Sequence, residues 1–378
     1  MIIDLHVTLC LCLICKITEL LTDKIRRAVM EEFLQLELVQ VNFRHGIRTP
    51  SVYEANIVNV TDPKYYGTIG FGQLTNEGKC QSYRFGQLLR KKYDKFLGNY
   101  EPNQLHAYTS KFDRTKMTLQ LVLAGLYPPS ENNRWHATLQ WMPIPFDIAP
   151  NICDTLLTPH QYPNFYRLLE SELNLSEEYQ SEMTKYNDLL DYVEKMANVP
   201  MRKKLIHYSG WIYYAVKIHK LLNLPQPRWC SDEVMKRLRE LFKYNIDAMS
   251  LTQKLKRLNG GTMVRRVIEN IEENRIAENP KKIYLYSHHD LTLAAFERAQ
   301  GIKVFDIPPF ASAIILEKYR HVNNVEYVRF LAWDGKDNEF FVVKLKGCDE
   351  FYVYEDYRKV VEDVIPTDED LKFLVNDN

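Results

Sequence analysis

The run Leu36-Glu37-Leu38-Val39-Gln40-Val41 leads straight into Asn42-Phe43-Arg44-His45-Gly46-Ile47-Arg48-Thr49-Pro50, and no other stretch constrains the fold as strongly. Its first half reads as a short buried strand of the parallel type. The second half breaks that pattern abruptly. Two arginines flank a histidine, and Gly46 lets the backbone turn tightly beside it. Guanidinium groups present planar forks of donors that fit phosphate oxygens and keep their charge. An imidazole held between them is placed to attack phosphorus. The alternative is a surface loop whose basic cluster includes one histidine by chance, because short motifs recur without function.

The chain has 378 residues, 46% hydrophobic and 26% charged, which suits a soluble globular protein of one or two domains. Lys+Arg and Asp+Glu both total 49, so no global field gathers nucleic acid or a membrane surface, although a basic pocket fits inside a neutral protein. No apolar run reaches the roughly 18 residues of a membrane-spanning helix.

Residues 5–15 are apolar apart from His6 and Thr8, a length that suits the core of a secretion signal. Against this, Asp4 stands where positive charge is expected, and no small-x-small cleavage pattern follows. Ile17, Leu20, Leu21, Ile25, Val29 and Phe33 then recur at helical spacing. The expectation is a signal and N-terminal extension over residues 1–35, with an extra packing helix or a misjudged start as alternatives. Export would place the protein outside the cell or in the lysosome, and would make the sequons at Asn59 and Asn174 glycosylation sites. Cys10, Cys12 and Cys15 would leave with the signal. Cys80, Cys153, Cys230 and Cys348 form no CxxC pair, so structural zinc is not expected, and free thiols fit as well as two disulfides.

Further along, Thr75 reads as the N-cap of a helix running to about Tyr93, with Phe85, Leu88 and Leu89 inward. A strand at 105–109 and the turn Ser110-Lys111-Phe112-Asp113-Arg114 precede a second helix, with Met117, Leu121, Val122 and Leu126 inward and Pro128-Pro129 ending it. Arg114 thus falls at a strand-to-helix turn, where helix amides favour an anion. From 150 to 279 helical patterns dominate, among them 232–248 and 262–274. A strand returns at Lys282-Ile283-Tyr284-Leu285-Tyr286 and ends in Ser287-His288-His289-Asp290, the end of a strand at which open α/β sheets bind ligands. Asp290 also suits a plain helix N-cap. Segments 311–318, 326–333 and 340–345 read as antiparallel strands, and 350–378 as an acidic peripheral tail. The fold class expected is α/β: a mixed, mainly parallel central sheet flanked by helices. Residues 36–149 and 280–378 form the catalytic domain, and 150–279 an inserted, smaller helical lobe.

Arg44-His45-Gly46-x-Arg48-x-Pro50, Asp113-Arg114-Thr115 and His289-Asp290 together resemble the histidine acid phosphatase family, the RHGxRxP branch of the histidine phosphatase superfamily. Gln73-Leu74-Thr75-x-x-Gly78, Asn259-Gly260-Gly261 and Pro308-Pro309-Phe310-Ala311-Ser312 follow in the family's order, and the resemblance is to its insect and venom acid phosphatases in particular. The resemblance implies hydrolysis of phosphate monoesters through a phosphohistidine on His45. It implies that Arg44, Arg48, Arg114 and His289 hold the phosphoryl oxygens, and that Asp290 protonates the leaving alcohol and then helps activate water. No cofactor and no metal is implied. Small phosphate monoesters and phosphoproteins are the expected partners, nucleic acid is not, and the oligomeric state, a homodimer included, stays open. Two other readings compete: a narrower phosphatase acting on inositol phosphates or lysophospholipids, and a venom or binding protein that keeps the fold but has lost turnover. Three residues depart from the family pattern around the site: Ile47 at the rim, and His288 and Leu291 beside Asp290. Tyr162, Ala313 and Tyr352 stand at cysteine positions of vertebrate members, removing disulfides worth about 2–4 kcal/mol each.

Overall fold

The computed structural model describes residues 32–151, 153–345 and 350–376. The expected signal lies outside them up to residue 31, as does Cys348. At the centre is an eight-stranded sheet in the order β3-β2-β4-β1-β5-β6-β7, with β8 also paired to β6. The strands are β1 (Leu34–Arg44), β2 (Leu105–Thr109), β3 (Asp147–Ile148), β4 (Ile283–His288), β5 (Ala313–His321), β6 (Glu326–Trp333), β7 (Phe341–Val343) and β8 (Tyr352–Val353). Pairings of β1 with β4, β4 with β2 and β2 with β3 are parallel, and β5, β6 and β7 close the sheet as an antiparallel meander. The sheet is mixed and mostly parallel: β1, β2, β3, β4 and β6 share one direction.

β1 is longer than the apolar run suggested and carries Arg44 on its last position. Its side chains alternate between two covered faces. Val39, Val41 and Phe43 join Phe85, Leu89, Leu119, Val122, Leu285 and Trp333 in one core, under the helices Asn76–Leu97 and Asp113–Leu126. Leu38 joins Tyr286, Phe296, Leu316 and Phe330 on the other face, under Gly261–Ile276, Asp290–Ala299 and Tyr354–Val361. Each large apolar side chain so buried contributes about 1.5–3 kcal/mol.

Helix starts follow their caps. The Thr75 hydroxyl accepts from the Gly78 N–H, as expected from sequence, and Ser231 likewise starts Asp232–Ala248. The inward face of Asp113–Leu126 is rotated from the expected one: Leu119, Val122, Leu123 and Leu126 are buried, whereas Met117 and Leu121 are half-buried. The cause is a close helix crossing, in which a β-carbon on Gly86 would meet the Val122 carbonyl oxygen and one on Gly125 that of Tyr83.

Two further expectations need correction. Gly261–Ile276, assigned to the helical lobe, packs on the sheet, and the Val267 carbonyl accepts from Gln40 Nε2 at 2.8 Å. The separate helical core, around Phe165, Leu169, Val193, Ile212, Leu238 and Leu241, is built mainly by the helices between residues 163 and 258, with Ile57, Val58 and Leu374 joining from outside that span. The acidic tail is not peripheral: β8 pairs with β6, and Tyr354, Tyr357 and Val361 are fully buried. Spaced three and four apart, they form an apolar helical stripe that the surrounding charges mask in composition. Cys80, Cys153 and Cys230 are free thiols. Asn59 and Asn174 are exposed.

Candidate active site

Three parallel strands deliver the site. The register pairs Arg44 with His288 and Thr109 with Ser287, so the C-terminal ends of β1, β4 and β2 finish level. The ladder continues into the loops, with His45 N–H donating to the His288 carbonyl at 3.1 Å and Ser110 N–H to that of Ser287 at 3.2 Å. Across β1, the turn before β5 closes on the same loop: Arg44 N–H donates to the Ser312 carbonyl at 2.9 Å, and Ala311 N–H to that of His45 at 3.0 Å. Backbone pairing, rather than side-chain adaptation, sets the relative position of loops hundreds of residues apart.

His45 is 2% exposed. Its Nδ1 lies 2.9 Å from the Gly46 carbonyl, an oxygen that can only accept, so Nδ1 carries the proton and Nε2 keeps its lone pair. Arg114 Nε–H donates to that Nε2 at 3.1 Å. Burial first, then the charges of Arg114 and Arg44, hold the imidazole well below its ordinary pKa of 6.5. The ring therefore stays neutral in acid, with its tautomer fixed and its free nitrogen among cations.

The loop is seated by two glycines. A β-carbon on Gly46 would lie 2.3 Å from the Gly78 carbonyl oxygen, and one on Gly78 would lie 2.0 Å from that of Ile47. Gly78→Ala is expected to cost about 1–3 kcal/mol of stability and to lower turnover, because the clash is relieved by displacing the His45 loop. Thermal melting and kcat measured together check this, and a variant unchanged in both would mean that the two backbones do not touch.

The arginines differ in what holds them. Arg48 forms a bidentate pair with buried Glu54, at 2.6 and 2.8 Å. Burial opposes both charges, yet the pair prevails: Glu54 is lowered and Arg48 raised. Arg44 donates to the Pro308 carbonyl at 2.7 Å, approaches Asp290 at 3.3 Å, and lies 3.9 Å over the Phe310 ring. Arg114 lies 4.4 Å over Phe112 and is lowered to about 9 by burial and then by Arg48. It remains charged at the pH where a carboxylic acid works, but it is held against repulsion. Among the described residues, Nε of Arg44 and Nε of Arg48 are buried donors with no hydrogen-bond partner. Such donors are costly unless something else accepts from them, and an oxyanion would do so.

His289 sits between Arg114 and Ser110. Arg114 can only donate, so the 3.4 Å contact makes His289 Nδ1 an acceptor, and Nε2–H then donates to Ser110 Oγ at 3.0 Å. Asp290 is not the N-cap, a position His289 takes, but its Oδ1 accepts from the Leu291 N–H at 2.9 Å. Burial, the largest single influence, pushes the Asp290 carboxyl up, but Arg44, Tyr214, the Leu291 amide and Arg48 together outweigh it, and the net shift is downward. The Tyr214 hydroxyl is buried without a hydrogen bond of normal geometry among the described residues, so its help is through proximity.

Arg44, His45, Arg114, His289 and Asp290 are thus joined by direct contacts. Arg48 joins them through the Tyr214 ring that it shares with Arg44, at 6.0 and 4.9 Å. Glu54, Phe310 and Tyr214 were missed as site residues. Ser51-x-x-Glu54 is a capping box, and that signal stood in the sequence one residue past the motif. Ile47 is not at the rim but buried, in one cluster with Tyr214 and Phe310. His288 is fully buried in the sheet, its Nδ1 donating to the His289 carbonyl at 3.1 Å, so it fills core volume rather than pocket.

Residues 35–332 match the family model described as histidine phosphatase superfamily (branch 2). Among curated proteins, venom acid phosphatase Acph-1 of Apis mellifera is 31% identical over 349 residues, covering 89% of this chain and 88% of that one. Human lysosomal acid phosphatase is 30% identical over 342 residues, covering 88% and 79%. Among solved structures, the Klebsiella sp ASR1 phytase is similar in fold, with a TM-score of 0.66 at 14% identity over 88% of this chain and 98% of that chain.

Proposed function

The chain belongs to branch 2 of the histidine phosphatase superfamily, and from that premise we propose that it is an acid phosphatase hydrolysing phosphate monoesters through a phosphohistidine on His45. The reading rests above all on one observation: a buried, neutral imidazole whose Nε2 lone pair meets Arg114 and whose Nδ1 proton is tied to the Gly46 carbonyl. Phosphoryl transfer asks a protein mainly for positioning and for cations where charge collects, and Arg44, Arg48 and Arg114 supply them. His289 orients Arg114. Asp290 gives its proton to the leaving oxygen, then takes one from the water that attacks the phosphohistidine. Atoms balance: the ester oxygen leaves as an alcohol, and His45 is regenerated with release of inorganic phosphate. The curated relatives named venom and lysosomal support export, in which case exposed Asn59 and Asn174 would carry glycans.

Arg114→Ala tests the reading. It should lower kcat/KM for a chromogenic aryl phosphate at least about 100-fold, as expected for a charge-assisted donor that strengthens toward the transition state. EDTA should leave the wild-type rate unchanged. Activity lost to a chelator and restored by a divalent metal would place the enzyme in another class.

A further inference from the structure

Beyond the phosphate pocket stands a cation that this chemistry does not use. Lys217, on the helix Leu205–Leu221, is half-buried, and its Nζ lies 5.2, 5.7 and 5.8 Å from the ring centres of Tyr213, Tyr214 and Phe310. Tyr214 and Phe310 are the same rings that Arg44 packs on, at 4.9 and 3.9 Å. Lys217 forms no ion pair among the described residues. Its neighbour Arg239, by contrast, is matched by Glu240 at 2.7 Å and Asp306 at 3.5 Å. Arg44, Asp290, Arg239 and Lys336 are the charges felt most by Lys217. Lys217 shares the Tyr214 and Phe310 rings with Arg44, which approaches Asp290 at 3.3 Å, and so stands on the Asp290 side of the pocket, where the leaving group departs. Burial and then Arg44 lower it to about 8, so it is still mostly protonated in acid.

We propose that Lys217 is a specificity-determining residue that binds a second anionic group, phosphate or carboxylate, carried on the leaving-group side of the substrate. The proposal rests on the phosphatase reading for the position of the scissile phosphate. Exposed Lys336, in the turn after β6, follows Gly335, where a β-carbon would lie 2.2 Å from the Phe310 carbonyl oxygen, and so adds a second cation near Phe310. The competing explanation is packing, since a lysine stem can cover aromatic surface while its ammonium reaches water.

Lys217→Met keeps the stem and removes the charge, and so separates the two. With paired substrates, a sugar monophosphate and the corresponding bisphosphate, kcat/KM for the bisphosphate should fall roughly 10- to 100-fold, the scale of one charge-assisted contact. The rates for the monophosphate and an aryl phosphate should stay within about twofold. Lys217→Arg should restore most of the bisphosphate preference. Equal losses on all substrates, or no change in the bisphosphate preference, would overturn the proposal. Calorimetric binding of α,ω-alkane bisphosphonates of increasing chain length, against the matching monophosphonates, gives a readout without turnover. Lys217→Met should lose only the extra affinity of those bisphosphonates long enough to span both sites. A wild type that binds them with this preference yet hydrolyses no ester would refute the phosphatase reading and leave the Lys217 proposal standing. A wild type with no preference for any bisphosphonate would refute the proposal alone.

Discussion

His45→Ala should abolish turnover, by roughly 10⁴-fold or more, as expected when the atom that forms the covalent intermediate is removed. Among the described residues no other nucleophile is in place to substitute. Ser110 Oγ is engaged with His289 Nε2 and Thr115 Oγ1, at 3.0 and 2.8 Å, and His289 turns its lone pair toward Arg114. The fold should survive, because the strand register that forms the loop runs through backbone groups. Inorganic phosphate should still bind, since the arginines remain, and a circular dichroism spectrum with a phosphate titration would separate lost chemistry from lost structure. Acid quenching of the wild type with labelled substrate should trap a phosphate that is base-stable and acid-labile, the signature of a phosphorus–nitrogen bond. A label with ester stability, on serine or aspartate, would overturn the mechanism.

Asp290→Asn should produce the next largest loss, and a selective one. Alkyl phosphates need a proton on the departing alkoxide, so their kcat should fall on the order of 10²–10⁴-fold, the usual range for a general acid. Aryl phosphates with an acidic phenol should suffer much less in the first step. The pH dependence follows from charge. In the free protein Arg44 and its neighbours hold the Asp290 carboxyl below its ordinary value, so it is ionised over most of the acid range. A bound phosphate dianion neutralises those arginines and repels the carboxylate, both of which favour the protonated form. For alkyl substrates the alkaline limb of kcat should therefore lie at higher pH than that of kcat/KM, after allowing for the substrate's own ionisation near pH 6. His45, held neutral by burial and cations, should not impose an acid limb until well below pH 6.5. In Asp290→Asn the alkaline limb should disappear. Stability also enters, because asparagine still accepts from the Leu291 N–H but no longer balances Arg44, which is 1% exposed. A loss of about 1–2 kcal/mol at neutral pH is expected, recovered on adding phosphate. Equal damage to alkyl and aryl substrates would make Asp290 structural.

How much of this was readable beforehand depended on whether the signal was local. The strand at 105–109, the strand at 326–333 and the helix at 232–248 appear at those boundaries, because caps and turn residues mark their ends within the chain itself. The chemical residues were legible for a related reason. Arginine, histidine and aspartate just past buried strands have few structural uses, and Arg44, His45, Arg48 and His289 are found at strand ends or the loops that follow them, Arg114 and Asp290 in the first turn of the helices beyond.

The sequence by itself therefore determined which residues to propose for the chemistry and which elements deliver them, since both depend on residue type and short-range spacing. Tertiary structure alone decided what those residues are able to do. The proton on His45 Nδ1, the pairing of Arg48 with Glu54 and the rings shared by Arg44 and Lys217 arise where segments far apart in the chain meet in a buried space. The same holds for the burial of Tyr354 and Tyr357 in a stretch whose composition reads as solvent-facing. Desolvation and Coulomb energies are set by distance and exclusion of water, and neither is a property of neighbours along the chain.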